Sequence, residues 1–116
     1  MAIRKIEAII RPEKLTAVTE ALKELGYPGV TITDVKGHGK QKGLTQQWRG
    51  REYTIEFLPK VKVEIVIPDD GEKLEEILEA IARAASIDKV GDGKIFIWPI
   101  EDVMRIRTRE RGPKAV

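Results

Sequence analysis

Polar and apolar residues along the chain fall into two repeats of one pattern. Ile6, Ala8 and Ile10 alternate within Ile3–Ile10, which predicts a strand. Pro12 follows at a position suited to the first turn of a helix. Leu15, Val18, Leu22 and Leu25 recur at three- and four-residue steps and make one apolar helix face. Gly26 is placed to close that helix in the left-handed region, and Pro28-Gly29 predicts a turn. The β-branched run Val30–Val35 predicts a second strand. The pattern then repeats. Val61, Val63, Ile65 and Ile67 alternate within a strand expected over Thr54–Ile67, with Pro59 at an edge or bend. Asp69 and Glu72 have capping-box spacing. Leu74, Ile77, Leu78, Ile81 and Ala85 form a second helix face, supported by the i,i+4 pair Glu79 and Arg83. Gly91-Asp92-Gly93 predicts a turn, and Ile95–Trp98 a buried strand.

The order strand–helix–strand, insert, strand–helix–strand is the α+β, ferredoxin-like βαββαβ arrangement. Two helices are expected on one face of a four-stranded antiparallel sheet. On the other face Ile9, Val66, Phe96 and Trp98 fall out of phase with the core set. That predicts an apolar face buried in a homo-oligomer.

Between the repeats lies an insert too long for an ordinary loop, expected over about 37–55. From Lys36 to Arg51 it carries Lys36, Lys40, Lys42, Arg49 and Arg51 and no acidic residue. Such a segment is the first place to seek a ligand or partner. The 116 residues fit one domain, 1–116, ending in a charged tail over about 108–116. Aromatics are 5% of the chain, so the core must rest on Ile, Val, Leu and Ala. Charged residues reach 34% yet the net charge is only +2, which argues against a chain-wide nucleic-acid surface. With no cysteine, disulfides and thiolate metal sites are excluded. No apolar run is long enough for a membrane helix, and Met1–Glu7 lacks the apolar stretch of a secretory signal, so a cytoplasmic protein is expected.

Candidate chemistry is concentrated in few residues. Gly91-Asp92-Gly93-Lys94 fits both an ordinary turn and an anion cradle, since glycines let backbone N–H groups approach an anion. Its spacing is not that of a Walker A loop. Arg105 and Arg107, two apart, would point the same way in an extended segment and meet one phosphate; a solvated basic tail fits them as well. His38 has no nucleophile or carboxylate constellation beside it. Gln41 offers a carbonyl oxygen suited to a Mg²⁺ shell, and Lys60 a cation for a carboxylate. Trp48 in a polar insert suggests partner contact. No Ser-His-Asp set, paired catalytic carboxylates or His-rich cluster is present, so a non-enzyme is expected.

Taken together, the segments 36–43, 48–53, 57–66, 89–96 and 105–108 resemble the PII signal-transduction proteins of nitrogen metabolism, in order and over Ile3–Thr108. The resemblance implies a homotrimer with ATP or ADP in the clefts between subunits. It implies that Gly37, His38, Gly39, Lys40 and Gln41 reach the nucleotide from the base of the insert, the T-loop. Thr31, Glu64 and Val66 would line the adenine side. Val90, Gly91, Asp92, Gly93 and Lys94 would hold the phosphates, and Arg105 and Arg107 would come from the neighbouring subunit. Mg²⁺ would bridge the phosphates with Gln41 as its protein ligand. The effector 2-oxoglutarate would chelate that ion and meet Lys60 and the backbone around Gln41, Lys42, Gly43 and Gly91. Tyr53 matches a tyrosine uridylylated in many members. Trp48, Arg49 and Arg51 would contact partners, among them an ammonium channel and glutamine synthetase or its modifying enzymes. Trp48 stands where a tyrosine is common, Ala84–Asp88 replaces the usual Thr-Gly, and Arg109–Gly112 lacks the common Gly-Glu-Glu run. Rival readings are a related sensor for another metabolite, a ferredoxin-like RNA-binding module and a slow ATPase. Strands rich in Ile and Val rather than aromatics weigh against base stacking.

Overall fold

The computed structural model describes residues 2–40, 46–48, 51–53, 55–69 and 71–116. The elements in chain order are β1 (Ala2–Ile10), α1 (Leu15–Glu24), β2 (Thr31–Lys40), β3 (Gln46–Trp48), β4 (Arg51–Tyr53), β5 (Ile55–Asp69), α2 (Glu72–Ala85) and β6 (Gly93–Ile100). Pro12–Lys14 form a 3₁₀ turn that leads into α1. β2, β5, β1 and β6 make one antiparallel sheet in that order, which is the ferredoxin-like topology expected.

Both helices pack on the face of the sheet that carries Ile6, Ala8, Ile10, Val61, Val63, Ile65 and Ile67. Val18 and Leu22 of α1 and Ile77, Ile81 and Ala85 of α2 complete the core. These are the alternating and 3.6-period positions of the sequence. The apolar surface they remove from water is the main force holding the layers together. Gly26 sits at φ +92° as the residue that turns the chain out of α1. The Glu79–Arg83 pair forms at 3.0 Å on the solvent side of α2.

Several expectations are corrected. The capping box does not form: Gly71 is the N-cap of α2, without a side-chain cap. The Asp69 carboxylate instead accepts from the Gly71 N–H at 2.8 Å and pairs with Arg4 at 3.3 Å. β6 is not buried. It is an edge strand, and Phe96, Ile97 and Trp98 are about half exposed. The helix-free face carries Ile9, Val66, Phe96 and Trp98 as expected, but charged residues lie among them. Lys5, Glu7, Lys62 and Glu64 form a charge lattice there, with Lys5–Glu64 at 3.4 Å, Lys62–Glu7 at 3.5 Å and Lys62–Glu64 at 3.7 Å. Trp98 donates its indole N–H to Glu7 at 2.8 Å, and the Lys5 ammonium lies 5.2 Å from the Trp98 ring centroid. An aromatic there is held by charges rather than by hydrocarbon.

The two ends of the insert are strand. β2 continues to Lys40, opposite Ile55 of β5, and β3 and β4 pair as a separate two-stranded ladder with Trp48 opposite Arg51. β1 stops at Ile10, opposite Val61, so Pro59 lies where β5 has a neighbour only on the β2 side. A residue without an N–H is tolerated at such an edge.

Candidate ligand-binding site

β5 organises the candidate site. Lys60, Lys62, Glu64 and Val66 share its helix-free face, because the intervening residues from Val61 to Ile67 point into the core. Lys60 and Glu64 are therefore about 13 Å apart along one strand.

At the Lys60 end the turn before β6 closes in. The Lys60 ammonium donates to the carbonyl oxygen of Gly91 at 2.8 Å. Arg11, just past the end of β1, donates to the Val90 carbonyl oxygen at 3.0 Å and pairs with the Asp92 carboxylate. Two cations thus converge on Gly91. A Cβ built there would lie 3.2 Å from an Arg11 guanidinium nitrogen and 3.9 Å from the Lys60 ammonium, and Gly91 itself has φ +96°. Gly37 comes to the same place: its Cβ would meet the Lys60 side chain at 3.4 Å. Sequence reasoning missed Arg11. It precedes Pro12 at the end of a strand, and nothing local signals a partner 81 residues away.

Asp92 shapes this turn rather than lining it. Its carboxylate accepts from the Ser86 hydroxyl at 2.9 Å and from the backbone N–H groups of Ile87, Asp88 and Lys89 at 3.2, 3.1 and 3.4 Å. Its own N–H donates to the Lys89 carbonyl oxygen at 3.2 Å. Desolvation raises its pKa, but the Arg11 bond and those from Ile87, Ser86 and Lys89 outweigh it and hold the carboxyl well below the usual carboxylate range. Residues 86–88 are thus the wrapping of one carboxylate. Asp88 takes φ +59° to let them close. Gly93 follows at φ +110°, and a Cβ there would stand 1.8 Å from the Ile9 carbonyl oxygen. Only glycine lets β6 begin so close to β1.

At the Glu64 end there is a groove of about 380 Å³. Thr31, Glu64 and Val66, expected on the adenine side, line it together with Gly29 and Val103, and Ala115 and Val116 close it. Thr31 and Glu64 are register partners across β2 and β5, which explains why they meet.

Arg105 and Arg107 do not lie in an extended segment. Residues 106–108 turn, and Met104 bridges back to Arg111. Arg105 is engaged by the Glu110 carboxylate at 3.3 Å and the Lys114 carbonyl oxygen at 3.0 Å. Nor is the tail merely solvated. Arg111 donates to Asp102 at 2.7 Å, and Ala115 is buried. The N–H of Val103 and the Arg111 guanidinium also hold the Asp102 carboxyl below its ordinary pKa.

Of the remaining expected residues, Gln41, Lys42, Gly43 and Arg49 lie outside the described residues. His38, Gly39 and Lys40 stand on β2, Trp48 on β3, and Arg51 and Tyr53 on β4, by backbone position. Among the described residues no group of His, Cys, Asp and Glu could hold a metal by itself, and no helix is long and apolar enough to cross a membrane.

Comparison with known proteins gives one answer. The family described as Nitrogen regulatory protein P-II matches residues 3–110. Proteins of that name from Azospirillum brasilense and Rhodospirillum rubrum are 53% and 54% identical over 114 residues, 98% of this chain and 100% of theirs. The structure of Arabidopsis thaliana PII bound to citrate superposes with a TM-score of 0.79 at 38% identity, covering 99% of this chain and 92% of that one. GlnK of B. subtilis gives a TM-score of 0.81 at 30% identity over the whole of both chains.

Proposed function

This chain belongs to the nitrogen regulatory protein P-II family, a family of signalling proteins rather than enzymes, and from that premise we propose that it senses ATP or ADP together with 2-oxoglutarate. The single observation that carries the reading is the placement of Lys60, Glu64 and Val66 on one face of β5, with the Gly91 turn at one end and the Thr31 groove at the other. A base with few polar edges suits a groove walled by Val66 and Val103 and edged by Thr31 and Glu64. Phosphates suit the glycine turn and Lys94 beside it, because both offer positive charge at close approach.

The described residues fit such a ligand. Gly37 and Gly91 have no side chains of their own, and the Lys60 and Arg11 side chains pack against them and bring two cations there. Those cations suit a carboxylate, which is the chemistry of 2-oxoglutarate. The citrate carried by the Arabidopsis protein is a carboxylate of related kind. Gln41 would hold Mg²⁺ with the phosphates and thereby supply the charge that couples the two ligands. Arg105 and Arg107 would reach the phosphates of a neighbouring subunit in a homotrimer. For Arg105 this means exchanging Glu110 and the Lys114 carbonyl for the ligand.

The signal would leave through the segment between β2 and β5. Ligand at Lys60 and Gly37 grips both strands of that ladder, and preferential binding to one arrangement shifts the population. Trp48, Arg49 and Arg51 would then meet a partner in nitrogen assimilation, such as an ammonium channel, glutamine synthetase or its modifying enzymes, in the cytoplasm. Tyr53 would be the site of any uridylylation. Isothermal titration tests the core of this reading. ATP with Mg²⁺ binds first, and 2-oxoglutarate gives heat only in its presence. Heat from 2-oxoglutarate without nucleotide, or none with it, rejects the coupled sensor.

A further inference from the structure

We propose that Ala115 and Val116 form an apolar binding wall of the groove that takes the nucleotide base. The inference rests on the nucleotide reading above and adds a residue pair that the sequence pattern did not single out. Ala115 and Val116 line the groove with Thr31, Glu64 and Val66, although β6, from which they follow, lies at the opposite edge of the sheet from β2. The chain after β6 therefore returns to β5, and a succession of bonds holds it there. Gly112 donates to the Val103 carbonyl oxygen at 3.1 Å and to Asp102 at 3.1 Å, and Ala115 to the Gly112 carbonyl oxygen at 2.9 Å.

The two side chains differ in what they do. Ala115 is 7% exposed and anchors the short 3₁₀ turn Pro113–Ala115. Val116 is 43% exposed, so its isopropyl group has surface left for a ligand in the groove. Val66 and Val103, which line the same groove, are also aliphatic. A flat heteroaromatic ring resting against Val116, Val66 and Val103 would lose water from the surface it covers, which is the favourable contact such a groove provides. The phosphate end, at Gly91 and Lys94, is served by other residues. Val116 consequently acts on the base and not on the phosphates.

The test compares wild type with Val116→Gly and Val116→Asp, using ATP and inorganic tripolyphosphate as separate probes. Val116 is not part of the core, so both variants keep the fold, as thermal melting will report. Val116→Gly is expected to weaken ATP roughly three- to tenfold by loss of apolar contact. Val116→Asp, which puts a charge against the base, weakens it further. Tripolyphosphate affinity stays within about twofold of wild type in both. Unchanged ATP affinity in both variants overturns the wall. So does an equal loss of ATP and tripolyphosphate, because the effect would then reach the phosphates through the fold. If wild type binds tripolyphosphate but gains nothing from the adenosine of ATP, the wall is wrong while an anion site stands. If wild type binds neither, the nucleotide reading itself falls and takes the wall with it.

Discussion

The Lys60 ammonium lies 2.8 Å from the Gly91 carbonyl oxygen, and this bond joins the strand that leads to the insert to the turn that opens β6. A carboxylate entering beside it would take the ammonium as a charge-assisted partner. Hydrogen bonds to charged groups contribute about 1.5–3 kcal/mol. Lys60→Ala is therefore expected to weaken 2-oxoglutarate at least about tenfold in the presence of MgATP, with ATP affinity altered much less. Titration calorimetry separates the two, and an equal loss of both ligands would place Lys60 in the phosphate site instead.

Gly93 and Gly26 make an internal comparison of backbone demand. Both have positive φ, but a Cβ at Gly93 would strike the Ile9 carbonyl oxygen, whereas one at Gly26 meets nothing within 4 Å. Gly26→Ala should cost about 1 kcal/mol, the strain alone. Gly93→Ala adds a clash with backbone that β1 cannot move without breaking its pairing, so about 3 kcal/mol or more is expected. Urea unfolding of the two variants side by side checks the difference.

Asp92 should contribute to the loss of stability in acid. Its folded pKa is lowered, so its contribution is present above the unfolded value near 3.9 and is lost as pH falls below it. Asp92→Asn is expected to melt below wild type at neutral pH and to show a smaller further drop between pH 5 and pH 3. Parallel melting curves across that range would show that the carboxylate is not the group responsible.

Asp88 lies at φ +59°, and its backbone N–H reaches the Ser86 hydroxyl at 3.1 Å as well as Asp92. Glycine adopts that conformation without a Cβ penalty. Asp88→Gly is expected to be neutral or to stabilise by up to about 1 kcal/mol, with ATP affinity retained. A clear fall in the melting midpoint would mean that the aspartate side chain contributes more than its backbone does.

These residues also show where sequence was informative. Alternation in β1 and β5 and the 3.6-residue spacing in α1 and α2 named the core correctly, because burial on one face is what those periods encode. The continuous apolar run at Ile95–Trp98 was ambiguous in a way periodicity cannot resolve. Such a run fits a central strand, yet the topology puts it at an edge. Lys60, Gly91, Thr31, Glu64 and Val66 were named as candidates through the family resemblance, and the fold brings them into two groups along β5. Arg11 and Val116 were not, because each acts across more than 45 residues of chain on a neighbour that no local pattern specifies. The turn at 106–108 was missed for a related reason. Alternating arginines read as extended until Met104 and Arg111 are seen to pair.

The stop of β1 opposite Val61 has a mechanical consequence. Inward of that point β5 is clamped on both sides; outward it is a beam supported on one edge, with Pro59 just past the clamp. Lys60 is the first residue beyond the clamp, so a ligand bound there, as proposed, would push on the beam at its root. Ile55 lies six residues from Val61, about 20 Å out at strand rise. A turn of about 10° at the root would carry Ile55 sideways by about 3.5 Å, so leverage alone would enlarge a small displacement at the ligand.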